Sequence, residues 1–426
     1  VVLYKRKLAG NSLSLVTPNK SKMTTSFLYQ AFGIREQECT RVRYEDNSII
    51  LEIQTRKDKL VCPQCKSRHI NRSGSHIRRI RNVPIGSKQV IMDVKVQRIE
   101  CKDCGCIRNE HLHFVHGKRS YTNRFSRLVL SLSHIGTIKD VANFLHVSWD
   151  TVKEIQKKHL QRNYGCPQFD NLEYIGIDEF AVAKGHVYKT IVVNLLNGQV
   201  VYIGQGKGMD ALEGFWKKVR KNGVVIKAVA TDLSGAFISS VLQNAPQATL
   251  VFDHFHVVKL MNDTLDIIRR NVYREEKDLN KRKVLKGTRW LLLCNGKDIF
   301  DDRYKSGRLE NALALNEPLM KAYYLKESLK EIWMQIDEVQ ARKVLDDWVE
   351  QAYQAKIPQL TKFANTLKAH RWGILAWYKY HISTGKLEGI NNKIKTMKRQ
   401  AYGYRDQKFF ELKILAMHNI NYASVG

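Results

Sequence analysis

Two Cys-x-x-Cys pairs, Cys62-Pro-Gln-Cys65 and Cys101-Lys-Asp-Cys104, constrain the fold of this chain more than any other feature. The spacing sets each pair of thiolates on one side of a tight turn. Two such knuckles on adjacent hairpins make a tetrahedral four-sulfur zinc site, which stabilises a β unit too small to hold itself. The stretch between them is strand-like, with apolar and polar residues alternating in "SKQVIMDVKVQRIEC", so the knuckles can meet. Cys106 is a spare. The competing reading is two unrelated redox or buried pairs, and the spacing favours zinc. A secreted disulfide framework does not suit 426 residues of 43% hydrophobic content, because such a chain has enough core without staples. The cytoplasm is the expected compartment.

Charge narrows the partner. Against 41 Asp and Glu stand 71 Lys and Arg, a formal net charge of +30, most simply explained by a polyanion. Nucleic acid leads and a membrane surface comes second. No apolar run approaches the ~18 residues of a membrane span, and no secretory signal is evident. Met23 is the first methionine. Residues 1–22 therefore read as upstream translation or a tag-like segment, within a poorly defined leader at 1–39. In "HIRRIRNVP", Arg78, Arg79 and Arg81 lie between the knuckles, placed to grip phosphate. An ordinary solvated face accounts for them equally well.

The texture then changes along the chain. A β-rich zinc-ribbon domain is expected over 40–117, beginning with strands around the Asp46-Asn47-Ser48 turn. Helical spacing follows at 118–168. There "TIKDVANFLHVSWDTVKEIQKKHL" fits two short helices joined at His146-Val147-Ser148. Val141, Ala142 and Leu145 are expected to pack on Val152 and Ile155, with Ser148 as an N-cap. In a helix-turn-helix the second helix enters the major groove, so Trp149, Thr151 and Lys153 are candidate DNA contacts. A generic helical hairpin is the bland alternative. An α/β core is expected over 169–272 and 371–420, interrupted by an all-helical insertion at 273–370.

Within that core, "EYIGIDEFAVAKGHVYKTIVVNLLNGQVVYIGQGKG" holds three strand-like runs. They are joined by a turn at Lys184-Gly185 and by Asn197-Gly198, which suits a type I′ hairpin. A helix, a strand ending at Asp232, another helix and a strand ending at Asp253 complete a β-β-β-α-β-α-β order. That order resembles the ribonuclease-H-like fold, whose first and fourth strands are neighbours, so Asp178 and Asp232 would meet. Glu179 is a rival to Asp178, although strand alternation points it to the opposite face. Each Asp alone has a dull structural explanation. Clustered carboxylates in a basic protein, however, repel one another, and a divalent cation offsets that repulsion. Near the C-terminus "GKLEGINNKIKTMKRQAYGYRD" reads as a helix with a buried stripe of Leu387, Ile390, Ile394 and Met397. Its neighbouring face carries Glu388, Asn392, Lys395 and Arg399, with Asn391 at the edge.

Taken in order, the two cysteine pairs, the 137–160 helical pair, "IGIDEF", "VATDLSGAF", "VFDHFHVVKL" and "GKLEGINNKIKTMKRQAYGYRD" resemble the DDE transposases of bacterial insertion sequences, in the ISL-three family. The resemblance spans about 40–420. It implies that Asp178, Asp232 and Glu388 form a catalytic triad holding Mg2+ or Mn2+, with structural Zn2+ in the ribbon. Asp253 and His256 match a D-x-x-H feature close to that site, and a buried strand-end role suits them as well. Asn392, Lys395 and Arg399 would hold the phosphate backbone. The long interval between Asp232 and Glu388 is then the helical insertion. Trp290 within it and Trp372 just after it, both beside arginines, read more readily as core than as base-stacking residues. The implied partners are double-stranded DNA, as terminal inverted repeats and target, and further copies of the chain, in the bacterial cytoplasm near the nucleoid. A DNA-binding regulator without catalysis and a structure-specific nuclease of the same fold are the rivals.

Overall fold

The computed structural model describes residues 25–183, 187–294, 299 and 302–418. The chain divides into two units, with the break between His159 and Leu160. The expectations for residues 1–22 and for the Lys184-Gly185 turn lie outside the described residues.

The first unit opens with helix α1 (Thr25–Phe32) and a five-stranded sheet of β1 (Gln37–Glu45), β2 (Ser48–Thr55), β3 (Ile70–Ile85), β4 (Lys88–Cys101) and β5 (Ile107–Asn109). The strand order is β1-β2-β4-β3, with β5 paired to β4. Val90, Met92, Val94 and Val96 of β4 are buried, as the alternation predicts, and they pack with Leu51, Ile53 and Ile80. Leu28, Phe32 and Ile34 join the same core, so the ordered domain begins upstream of residue 40. Three helices follow: α2 (Asn123–Leu132), α3 (Ile138–Leu145) and α4 (Trp149–Tyr164). Val141, Ala142, Leu145, Val152 and Ile155 share one core. The tight turn between α3 and α4 places His146 in the left-handed region, with φ 50°. Ser148 Oγ accepts from the Thr151 amide at 3.2 Å, so the N-cap forms as expected.

The second unit is built on the sheet β10-β9-β6-β7-β8, formed by β6 (Tyr174–Ala183), β7 (Val187–Asn194), β8 (Val200–Gln205), β9 (Ala228–Thr231) and β10 (Thr249–Phe252). β6, β7 and β8 are antiparallel, and β9 and β10 continue parallel from β6. Helices α5 (Glu213–Lys221) and α6 (Gly235–Asn244) cover one face, where Phe215, Trp216, Phe237 and Val241 bury Ile175, Ile177 and Val192. The β7–β8 connection differs from a two-residue type I′ turn. Asn194 pairs with Gln199 instead, and the Asn194 side chain accepts from the Leu196 amide at 2.9 Å. That side-chain turn lengthens the loop, leaving only Gly198 at positive φ (78°).

After β10 the chain enters helices α7 (His254–Glu275), α8 (Leu279–Leu285), α9 (Arg289–Leu293), α10 (Arg303–Ala314), α11 (Glu317–Ser328), α12 (Glu338–Gln354), α13 (Pro358–Ala369) and α14 (Arg371–Leu375). They share one core running from Val257, Met261 and Leu265 through Leu345 and Trp348 to Leu375. The expected insertion boundary at 272/273 therefore falls inside a continuous helix. Two last helices, α15 (Gly385–Gln400) and α16 (Gln407–Ala416), return to the second face of the sheet. Leu387, Ile390, Ile394, Phe410 and Ile414 there bury Phe180, Ile191 and Val193. The apolar stripe read from the sequence is thus what docks α15.

Candidate active site and metal centre

The two knuckles have the same backbone. In the first, the Lys66 amide donates to Cys62 O at 3.0 Å and the Cys62 amide to Ser67 O at 2.8 Å. In the second, Gly105 donates to Cys101 O at 3.0 Å and Cys101 to Cys106 O at 2.9 Å. Lys66 (φ 63°) and Gly105 (φ 67°) take the left-handed conformation at equivalent positions. One ligand atom from each of Cys62, Cys65, Cys101 and Cys104 lies within 4.8 Å of all the others. The Cys62–Cys104 and Cys65–Cys101 sulfurs are 3.6 and 3.5 Å apart. Tetrahedral zinc with bonds of about 2.3 Å separates sulfurs by roughly 3.8 Å, so the four residues fit zinc. Cys106 is outside the cluster. The Cys65 amide draws the Cys62 thiol down to about 6. Cys104, despite the Cys106 amide, is pushed up to about 12, chiefly by the neighbouring Cys65 thiol. Crowded thiols cannot all ionise without a cation among them.

The arginines between the knuckles have partners within the unit. Arg78 Nη2 donates to Gly117 O and Arg119 O at 3.1 and 3.0 Å. Arg79 makes a forked pair with Asp93 at 2.9 and 3.1 Å. Arg81 donates to Leu145 O at 2.9 Å, tying β3 to the end of α3. On α4, Trp149 is exposed and Lys153 Nζ sits 5.1 Å from its ring centre. Thr151 is half-buried, its hydroxyl 2.9 Å from that of Ser148.

In the second unit, parallel pairing of β6 with β9 matches Tyr174 to Ala228 and Gly176 to Ala230. Two residues further along each strand come Asp178 and Asp232, brought together as the strand order predicts. Asp178 Oδ1 accepts from the Glu179 amide at 2.8 Å, and its Oδ2 accepts from Asn391 Nδ2 at 2.7 Å. Burial raises the Asp178 carboxyl above its ordinary range. The Asp232 charge adds to this, while the Glu179 amide, His256 and Asn391 oppose it. Asp232 Oδ1 accepts from the Ser234 amide at 3.0 Å. Glu179 is raised by burial and by the charges of Asp232 and Asp178, so it belongs to the same acidic field.

Asp253, 2% exposed, sits at the end of β10. It accepts from the hydroxyl of Thr384, the N-cap residue of α15, and His256 Nδ1 lies 3.4 Å from its Oδ2. Burial pushes the Asp253 carboxyl up, but hydrogen bonds from His256 and Thr384 outweigh it and hold the group below its usual range. His256 is raised by its Asp253 bond against burial, with help from the Asp178 and Asp232 charges. The Asp253–Thr384 link fixes the start of the helix that carries Glu388.

Glu388 lies in the first turn of α15 and is exposed. Among the described residues it does not close a three-carboxylate cluster with Asp178 and Asp232, since the four-cysteine group alone meets that spacing. Asn392, Lys395 and Arg399 are exposed along the same helix. Trp290 is 70% exposed under the Arg289 guanidinium (5.2 Å), whereas Trp372 packs its ring 5.1 Å from Phe252. The sequence pattern puts Asn391 only at the edge of a helix face, whereas the structure turns its amide to Asp178. Its signal was a buried-stripe position filled by an amide.

Family models and relatives in sequence agree with this architecture. A family model described as "Transposase" matches residues 175–414. The "Helix-turn-helix domain of transposase family ISL3" matches 110–160, and the "zinc-finger of transposase IS204/IS1001/IS1096/IS1165" matches 58–104. The transposase for insertion sequence element IS1001 of Bordetella parapertussis is 35% identical over 391 residues, covering 91% of this chain and 95% of that protein. The transposase for IS1557 of Mycobacterium tuberculosis (strain CDC 1551 / Oshkosh) is 25% identical over 369 residues, 81% of this chain and 82% of the relative. Among solved structures, a chain of the Drosophila P element transposase strand transfer complex aligns with a TM-score of 0.39 at 12% identity, covering 71% of this chain and 93% of that one. Zinc ribbon, helix-turn-helix and an interrupted ribonuclease-H-like domain together define a DDE-type transposase. The chain belongs to the ISL3 transposase family. Among the described residues, no helix is long and apolar enough to cross a membrane.

Proposed function

We propose that this transposase binds the terminal inverted repeats of its insertion sequence through the ribbon and helix-turn-helix, cleaves DNA at those ends, and joins them to target DNA. The observation that carries the reading is the β6–β9 register, which sets Asp178 and Asp232 side by side beneath the helix bearing Glu388. Hard carboxylate oxygens and a carboxyl raised by burial and a like charge suit a divalent cation. Asp178, Asp232 and Glu388 are the residues that would hold magnesium or manganese. Such a cation, when bound, supplies Lewis-acid activation of a water or 3′-hydroxyl and neutralises the leaving oxygen.

The remaining work falls to the chain itself. Lys395 and Arg399 are exposed cations on α15, positioned to hold the phosphate backbone, and Asn392 is a neutral donor beside them. His256, kept protonated to higher pH by Asp253, places a positive charge beside the acidic pair. Trp149, Thr151 and Lys153 present α4 to the major groove. Pairing two DNA ends requires a homodimer or a higher assembly. Asp178→Asn and Asp232→Asn should each lower end cleavage roughly 10³-fold with DNA affinity unchanged. Cleavage at wild-type rate in both variants would overturn the assignment of these carboxylates, and absence of end cleavage by the wild-type chain would leave a DNA-binding regulator as the better reading.

A further inference from the structure

From α15 the Asn391 amide donates to the Asp178 carboxylate, with Nδ2 2.7 Å from Oδ2. Asn391 is 8% exposed on the docked stripe, and its Oδ1 is buried without a hydrogen-bond partner. An orphaned buried acceptor costs about 1–3 kcal/mol, so an aliphatic residue here would pack at no such penalty. Three contacts keep the amide in place. Leu387 rests on Gly176, where an added Cβ would come within 2.5 Å of its Cδ1. Lys386 Nζ donates to Leu196 O at 2.9 Å, and Lys398 Nζ donates to Ala181 O at 2.8 Å.

We infer that Asn391 is a positioning residue for the Asp178 carboxylate, holding it in one orientation for a divalent cation from the turn of α15 that follows Glu388. An ionised carboxylate has about four lone-pair sites. The Glu179 amide and Asn391 each occupy one, on different oxygens, and the remaining directions stay open. With both oxygens anchored, the carboxylate loses little further freedom when a cation binds. The inference rests on the proposed metal-dependent reading of the site, and the test separates the two.

Mn2+ binding to the full, zinc-loaded chain is measured by electron paramagnetic resonance for wild type, Asp178→Asn, Asn391→Leu and Asn391→His, with thermal unfolding alongside. Leu keeps the branching and the number of heavy atoms and removes the donor, and the ring Nδ1 of His restores a donor at similar reach. Asn391→Leu should bind Mn2+ about 10-fold more weakly or worse, the usual scale for losing an outer-sphere partner. Its melting should be unperturbed, and Asn391→His should recover part of the loss. Asn391→Ser, whose hydroxyl is too short to reach, should repeat the defect if Asn391→Leu does not fold. Wild-type Mn2+ affinity in the folded Leu or Ser variant, with affinity lost in Asp178→Asn, would overturn the role of Asn391 alone. Equal Mn2+ binding by wild type and Asp178→Asn would overturn the metal-dependent reading as well.

Discussion

The zinc ribbon and the carboxylate site differ in how far their ligands are assembled by the fold. Four sulfurs already lie within 4.8 Å of one another, each pair set by a local knuckle with its own backbone hydrogen bonds. The carboxylates come from a strand, a strand end and a distant helix, and Glu388 is exposed rather than gathered in. Neutral thiols can crowd at little cost, and the cation that ionises them is part of the fold. Three carboxylates cannot crowd without charge compensation. Hence the cysteine site, each pair built from neighbours in sequence, suits a structural role, and the carboxylate site stays open, as the proposed chemistry requires.

Removing metal should separate the two most sharply. Cys62→Ser or Cys101→Ser, or exhaustive chelation, should unfold the ribbon, since structural zinc contributes on the order of 10 kcal/mol. Circular dichroism and zinc content should show strand loss, while the second unit still melts cooperatively. A ribbon that keeps its sheet without zinc would erase the distinction. Next in size is Gly176→Ala, which drives a methyl into Leu387. It should cost about 1–3 kcal/mol in thermal unfolding and lower cleavage by displacing α15, with the ribbon unaffected.

The smallest effect is a pH signature. Asp253, held low, contributes stability that is present above the unfolded carboxylate value of about 4 and lost as pH falls through its folded value. His256, held high, contributes stability that is present below about 6.5 and lost as pH rises through its elevated value. The gap in melting temperature between wild type and Asp253→Asn should therefore peak between those limits. The His256 titration, followed by NMR, should move to lower pH in the variant. A pH-independent gap would mean that the pair does not act through charge.

Local pattern made much of this molecule legible. Cysteine spacing, the His146 turn, β4 alternation and the Asp178 and Asp232 strand ends all depend on residues close in sequence or on strand order. The missed features depend on distant docking or on side-chain competition. Asn391 gained its role only once Leu387 met Gly176. The β7–β8 loop departed from type I′ because the Asn194 side chain captured an amide. The boundary at 272 dissolved because α7 keeps one apolar stripe across it. Residues 28–34 looked like leader, since their partners are β-sheet residues well downstream.

The most direct test of the central claim is Glu388→Gln, assayed for cleavage of DNA carrying the element's terminal repeat in Mg2+ or Mn2+. Gln keeps the size of the exposed side chain but removes its charge and replaces one acceptor oxygen with a donor NH2. Loss of cleavage by roughly 10³-fold, with DNA affinity and melting temperature unchanged, is the predicted result. Full cleavage by Glu388→Gln would contradict the assignment of the third carboxylate.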